Sequence, residues 1–181
     1  MNRLVAVVGL PGAGKSEVVN EFVAAGWQKV YFGGITLEEV KKAGLPINEA
    51  NERIVREKLR QEYGMNAYAK LSIPKIEKGL RIGSVVIDGL YSWEEYVLLQ
   101  QEFPKMEVLA IWSPPSIRYG RLANRPVRPL TQKEAENRDR AQIENLHQAG
   151  PIAMATATIL NTKSLLDLRE EVKGIINAQK S

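Results

Sequence analysis

Eight consecutive residues constrain this chain more than any others: Gly9-Leu10-Pro11-Gly12-Ala13-Gly14-Lys15-Ser16. They fill every position of the pattern G-x-x-x-x-G-K-[ST]. Three glycines let the backbone wrap close to an anion, so that its N–H groups point inward at the α- and β-phosphates of a nucleotide. Lys15 supplies a charge for the β/γ-phosphates, and Ser16 supplies a hydroxyl for Mg²⁺. The flanks agree. Leu4-Val5-Ala6-Val7-Val8 is a continuous apolar run, as expected for a buried parallel strand. Ser16 to Ala25 can form a helix with Val18, Val19, Phe22 and Val23 inward. The loop therefore sits between a strand and a helix N-terminus, where the helix dipole also favours phosphate.

Composition bounds the rest. At 181 residues, with 44% apolar and 25% charged content, the chain is one soluble, globular domain by expectation. It has no cysteine, which rules out disulfides, thiolate metal sites and a cysteine nucleophile. The apolar run before Gly9 is too short for a signal-peptide core, and no segment approaches the ~20 apolar residues of a membrane helix. A cytoplasmic protein with no membrane partner is expected. The net charge of +4 suits an anionic small molecule as well as nucleic acid.

Strand and helix patterns alternate, which argues for a parallel sheet covered on both faces. A second strand is expected from Gln28 to Phe32, broken by Gly33-Gly34, with a short helix from about Thr36 to Ala43. Asn48 can cap a long helical stretch reaching about Lys78, interrupted near Gly64 and Pro74, with Gly79 as a stop. Ser84 to Asp88 is the next strand. Ser92-Trp93-Glu94-Glu95 opens a helix as a capping box. Val108 to Trp112 is a fourth strand, and a helix follows through Leu122. Asn124 to Leu130 is a loop with two prolines. Thr131-Gln132-Lys133-Glu134 is a second capping box, starting a polar helix to about His147. Thr156 to Leu160 is the last strand. Ser164 caps a final amphipathic helix with Leu165, Leu168, Val172 and Ile175 on one side.

Beyond the loop, Asp88 ends an apolar strand and is followed by Gly89. An acid there can hold the water shell of Mg²⁺, although Asp-Gly is also turn chemistry. Six of the chain's twelve arginines fall within residues 118–140: Arg118, Arg121, Arg125, Arg128, Arg138 and Arg140. Guanidinium groups bind phosphate oxygens in pairs, and a phosphoryl group in transfer carries charge that must be neutralised. A hinged arginine segment is therefore what a kinase lid requires, against the plainer reading of a solvated basic face paired with Glu134, Glu136 and Asp139. His147 reads as a surface histidine, and Trp27, Trp93 and Trp112 as packing residues. The chain has no Asn-Lys-x-Asp and no Leu-Ser-Gly-Gly-Gln, which speaks against a guanine-specific switch GTPase and a transporter ATPase.

With these residues in place the chain resembles the nucleoside monophosphate kinase branch of P-loop proteins. It looks most like a set of small adenylate kinase-related proteins of archaea and bacteria. The resemblance covers the whole chain. It rests on the loop, on Phe32 to Gly44, on Ile87-Asp88-Gly89-Leu90-Tyr91 and on Arg118 to Arg125. It implies a three-layer α/β domain with a five-stranded parallel sheet in the order 2-3-1-4-5, with segment 35–79 on the acceptor side and 123–140 as a short lid. Two arginines by which adenylate kinases grip the acceptor phosphate have no counterpart: Leu37 and Ser92 stand there. AMP is therefore expected to be a poor acceptor.

The resulting expectation is an ATP-dependent phosphotransferase acting on a small nucleotide-like acceptor. Lys15, Asp88, Arg125 and Arg128 are the catalytic candidates. Gly9, Pro11, Gly12, Ala13, Gly14, Lys15, Ser16 and Arg121 would bind ATP, and Ser16 and Asp88 would place Mg²⁺. The alternatives are a dephospho-coenzyme A kinase-like enzyme and a nucleotide-binding regulatory ATPase. A binder of nucleic-acid ends would need an extended basic track, and here the basic charge is concentrated in one segment.

Overall fold

The five residues of strand β1, Leu4–Val8, are all buried, because both faces of the strand are covered. Alternate residues divide between two cores. Leu4, Ala6 and Val8 join one cluster with Val30, Ile76, Ile87 and Leu99. Val5 and Val7 join a second with Val18, Phe22, Leu109, Leu168 and Val172. The result is a three-layer α/β domain. A computed structural model describes residues 2–178.

The sheet is wholly parallel. Its strands are β1, β2 (Gln28–Tyr31), β3 (Val85–Asp88), β4 (Glu107–Trp112) and β5 (Ala157–Leu160), in the order β2-β3-β1-β4-β5. That is the order expected from the resemblance. Asp88 lies opposite Val7 on one side and Tyr31 on the other. The register therefore brings the carboxyl end of β3 beside the start of the phosphate loop, at the edge where open parallel sheets bind ligands.

Helix α1 (Lys15–Ala24) follows the loop directly. Its Val18, Val19 and Phe22 are buried, whereas Val23 is 42% exposed and not inward as its apolar character had implied. Helix α2 (Gly33–Lys42) begins at the two glycines expected to break the chain. Phe32 already has helical angles (φ −62°, ψ −39°), and the Tyr31 ring occupies the space a Cβ at Gly33 would need.

Helix α3 (Glu49–Tyr63) is capped by the Asn48 side chain, which accepts from Asn51 N. Helix α4 (Ala67–Ile82) runs unbroken through Pro74 and past Gly79. Gly79 is not a stop. A Cβ there would come within 2.8 Å of Val85 Cγ2, so the glycine lets α4 lie close to β3.

Both expected capping boxes form, Ser92 with Glu95 at the start of α5 (Trp93–Glu102) and Thr131 with Glu134 at the start of α7 (Gln132–Glu144). Between them lies α6 (Pro115–Ala123). The short α8 (Ala149–Ala153) and the closing α9 (Leu165–Asn177) complete the helices among the described residues. In α9 the inward side is Leu168, Val172 and Ile176, and Leu165 is exposed.

Candidate active site

The phosphate loop is held open by its neighbours rather than by its own sequence alone. Gly12 and Gly14 have φ of +79° and +104°, values that favour glycine. A Cβ at Gly12 would lie 2.6 Å from the Arg118 carbonyl oxygen, and one at Gly14 would collide with Asn161 Nδ2. Asn161, just beyond β5, donates to the Ala13 carbonyl at 2.8 Å. Gln148, fully buried, donates to the Gly9 carbonyl at 3.4 Å.

Lys15 Nζ donates to the Gly9 and Leu10 carbonyls at 2.6 and 3.2 Å. The loop's own oxygens thus occupy the donors that a polyphosphate would take. Burial is the leading cause that lowers the Lys15 pKa to about 8, and the charges of Arg138 and Arg118 add to it; Asp88 works in the opposite sense. A bound polyanion would reverse this, since it supplies the compensating charge.

Of the two residues expected to carry Mg²⁺, Ser16 follows Lys15 in the chain and Asp88 is near enough for its charge to act on Lys15. The Ser16 side is exposed, and Asp88 is ion-paired at 2.8 Å with Lys29 of β2. Among the described residues there is no cluster of three or more acidic or histidine side chains able to cage a metal. A hydroxyl and one carboxylate fit an ion that keeps several waters and takes its other oxygens from phosphates. Tyr91 lies close by. Burial, then the Asp88 charge, raises its pKa to about 12, so its hydroxyl stays a donor.

The arginines of 118–140 separate into two sets. Arg118 is buried, and donates to both carboxylate oxygens of Asp139, to Pro11 O and to Ser113 O. Arg121 donates to Gly12 O at 3.4 Å, to Ser113 Oγ at 3.1 Å and to Asn161 O and Oδ1. These two brace the underside of the loop. For Arg118 the plainer reading holds in part, since Asp139 of α7 is its partner, but the pair is buried rather than solvated.

Arg125, Arg128 and Arg138 instead line a cavity of about 720 Å³ together with Gly89 and Tyr91 at the end of β3. Burial, then the positive charges of Arg138 and Arg128, lower the Arg125 pKa. Arg125 Nε donates to the Arg128 carbonyl, and Arg128, at φ +52°, reaches Glu49 at 3.4 Å across the cavity. Arg140 does not line this cavity. His147 is exposed, 3.4 Å from Glu94.

The far wall holds residues that motif reading did not single out: Glu49, Glu52, Arg56 and Arg60 from α3, with Tyr68 from α4. Tyr68 shares a 2.6 Å hydrogen bond with Thr36. Behind this wall the buried Glu95 accepts from Tyr91 N and Ser92 N, and burial raises its pKa to about 7. A helical pattern of basic residues on a polar helix looks like any solvated face, so nothing in the sequence marked Arg56 and Arg60.

A family model described as an AAA domain matches residues 5–144. UPF0200 protein TK1334 of Thermococcus kodakarensis is 36% identical over 181 residues, covering 96% of each chain. The chain belongs to the UPF0200 family of P-loop proteins. Among solved structures, TT1252 from Thermus thermophilus aligns over 99% of both chains with a TM-score of 0.69 at 19% identity. Shikimate kinase from Acinetobacter baumannii, solved with shikimate, aligns over 99% of this chain and 96% of its own, with a TM-score of 0.62 at 17% identity. At such identities the likeness is one of fold: this UPF0200 member has a P-loop kinase fold. No helix among the described residues is long and apolar enough to cross a membrane.

Proposed function

We propose that the protein is an ATP-dependent phosphotransferase acting on a small acceptor that enters the 720 Å³ cavity. One observation carries this reading. Asp88, beside the phosphate loop, ends the strand whose next residues, Gly89 and Tyr91, line a cavity that also holds Arg125, Arg128 and Arg138. A nucleotide-binding module that only closes and opens needs the loop, but it does not need a second, arginine-lined chamber of small-molecule size next to it.

In this reading Gly9 to Ser16 hold the donor phosphates, with Lys15 leaving the carbonyls of Gly9 and Leu10 for the β/γ-phosphates. Ser16, and Asp88 through water, would hold Mg²⁺, which when bound neutralises phosphate charge. An acceptor oxygen attacks the γ-phosphorus, the bond to the β–γ bridging oxygen breaks, and ADP leaves with that electron pair. A hydroxyl acceptor gives its proton to Asp88 or to water. Arg125, Arg128 and Arg138 neutralise charge on the group in flight, which is where fixed donors contribute most. Arg121 acts on the nucleotide through the loop it braces. The loop 124–130, carrying Pro126 and Pro129, is the part free to close, since Arg118 ties the body of α7 to α6.

The test is ADP release from ATP-Mg²⁺ in the presence of nucleoside monophosphates, nucleosides, dephospho-coenzyme A and hydroxy acids in turn. The proposal expects one class to raise the rate well above the acceptor-free background, and Lys15→Ala to abolish the rise. A background rate that no acceptor changes supports the regulatory ATPase instead.

A further inference from the structure

Arg60, in the last turn of α3, has a side-chain donor that nothing satisfies. Its Nε is buried and has no hydrogen-bond partner, and no ion pair to Arg60 occurs among the described residues. Its guanidinium carbon lies 5.7 Å from the centre of the Tyr68 ring, whose hydroxyl is fixed by Thr36. A guanidinium with an unmet buried donor is costly unless an acceptor completes it. One turn earlier, Arg56 is already engaged, by Glu49 at 2.6 Å and Glu52 at 3.5 Å. Both arginines line the large cavity, which counts five arginines against two glutamates in its wall. The wall of the cavity therefore carries an excess of positive charge.

The two ends of this cavity differ in what they sense. Arg138 acts on Lys15 and on Tyr91, at the phosphate-loop end. Arg60 acts on Tyr68 and on Glu95, at the α3–α4 end. Leu37 lines the cavity, and the Ser92 hydroxyl donates to the Met65 carbonyl at 2.9 Å. Neither can bind an anion as a cation would.

We infer that Arg60, with Arg56 beside it, forms an oxyanion subsite at the α3 wall of the cavity, so that the acceptor is an acid carrying a phosphomonoester or a carboxylate. This rests on the phosphotransferase reading for the word acceptor, but not for the binding itself. The planar guanidinium of Arg60 can present donors to such a group in parallel, with the Tyr68 ring beside it at 5.7 Å. Glu49 and Glu52 hold Arg56 until an anion of higher charge displaces one of them. Because Glu49 also pairs with Arg128, that displacement releases the loop 124–130 to turn its arginines inward.

The binding test uses Lys15→Ala, in which the competing anion site of the phosphate loop is disabled. Inorganic phosphate is titrated into this variant by calorimetry. Binding is expected to persist, and to weaken about tenfold to a hundredfold when Arg60→Met is added, as for loss of a charge-assisted pair. Methionine keeps an unbranched side chain without the charge, and near-ultraviolet circular dichroism checks the packing around Tyr68. Arg169→Met, which removes a surface partner of Glu17 and Glu21, is the control and leaves phosphate binding as it was. No phosphate binding to Lys15→Ala, or equal binding with and without Arg60, overturns the inference.

A second arm compares glucose, gluconate and glucose 6-phosphate as additives to ATP-Mg²⁺ and to the parent protein. Protection of the α3 amides from hydrogen exchange by one acid and not by glucose names the oxyanion. Equal protection by all three overturns the subsite. Failure of ATP turnover with phosphate binding intact would defeat the kinase reading alone.

Discussion

Arg118 donates to both carboxylate oxygens of Asp139, at 2.9 and 2.6 Å, with both side chains buried. The same guanidinium reaches the Pro11 carbonyl in the phosphate loop at 3.0 Å. One ion pair therefore couples α7, α6 and the loop. Removing one member leaves a buried charge unpaired, which typically costs about 3–5 kcal/mol. Asp139→Asn is expected to lower unfolding stability by about that amount in urea, and to weaken ATP binding as the loop loses its brace. A stability change under about 1 kcal/mol would show that Arg118 finds a substitute partner.

The Lys15 pKa of about 8 has a direct consequence for ligand binding. Polyphosphate binds the charged amine, and the free protein loses that charge as pH rises through 8. ATP affinity should therefore be flat below about pH 7.5 and fall by up to about tenfold per unit above 8.5, with one proton taken up on binding. The sign for stability follows from the same depression: the unfolded chain binds this proton more tightly, so Lys15 destabilises the free fold below pH 8 and ceases to do so as pH rises through 8 to 10.5. Calorimetry of Lys15→Met should show weak, pH-independent binding; a parental slope in that variant would assign the effect to another group.

Lys29 sits 2.8 Å from Asp88 and competes for it with any cation. Lys29→Met is expected to lower the Mg²⁺ concentration needed for half-maximal turnover, and Asp88→Asn to raise it, both with the fold intact. Equal Mg²⁺ dependence in both variants and the parent would make Asp88 a turn residue before Gly89.

Arg125 and Arg128 should matter for rate more than for affinity. Arg125→Ala and Arg128→Ala are expected to lower kcat by about 10²–10³, as for removal of one fixed donor to a developing charge, with little change in the KM for ATP. Arg140→Ala, outside the cavity, should leave both parameters unchanged. Parental kcat in both cavity variants would reduce the segment to a basic surface.

The phosphate loop and the sheet were legible because each rests on local chemistry. Gly9, Gly12 and Gly14 announce a cradle by spacing alone, and the apolar runs at Leu4 to Val8 and at Val85 to Asp88 can only be buried strands. Capping boxes at Ser92 and Thr131 fixed two helix starts for the same reason. What escaped depended on partners distant in sequence. Gly79 looks like a stop until Val85 is seen against it, and Gly33-Gly34 look like a break until the Tyr31 ring is placed. Asp139 could be named as a partner for the arginine segment, but its buried pairing with Arg118 could not, and Lys29 gives no sign of reaching Asp88. The acceptor wall at Arg56 and Arg60 was hidden most completely, since only the packing of α3 on α4 turns two surface-like arginines toward a cavity.

The central claim is that the γ-phosphoryl group passes to an acceptor and not to water. Its fate can be followed directly by ³¹P NMR of ATP-Mg²⁺ turned over by the parent protein with the acid that best protects α3. The account predicts that the γ-phosphate signal is replaced by that of a new phosphoester or phosphoanhydride, in amount equal to the ADP formed, and that Lys15→Ala leaves the spectrum unchanged. ADP accompanied by an equal amount of inorganic phosphate, at a rate that ignores the acid, would contradict it.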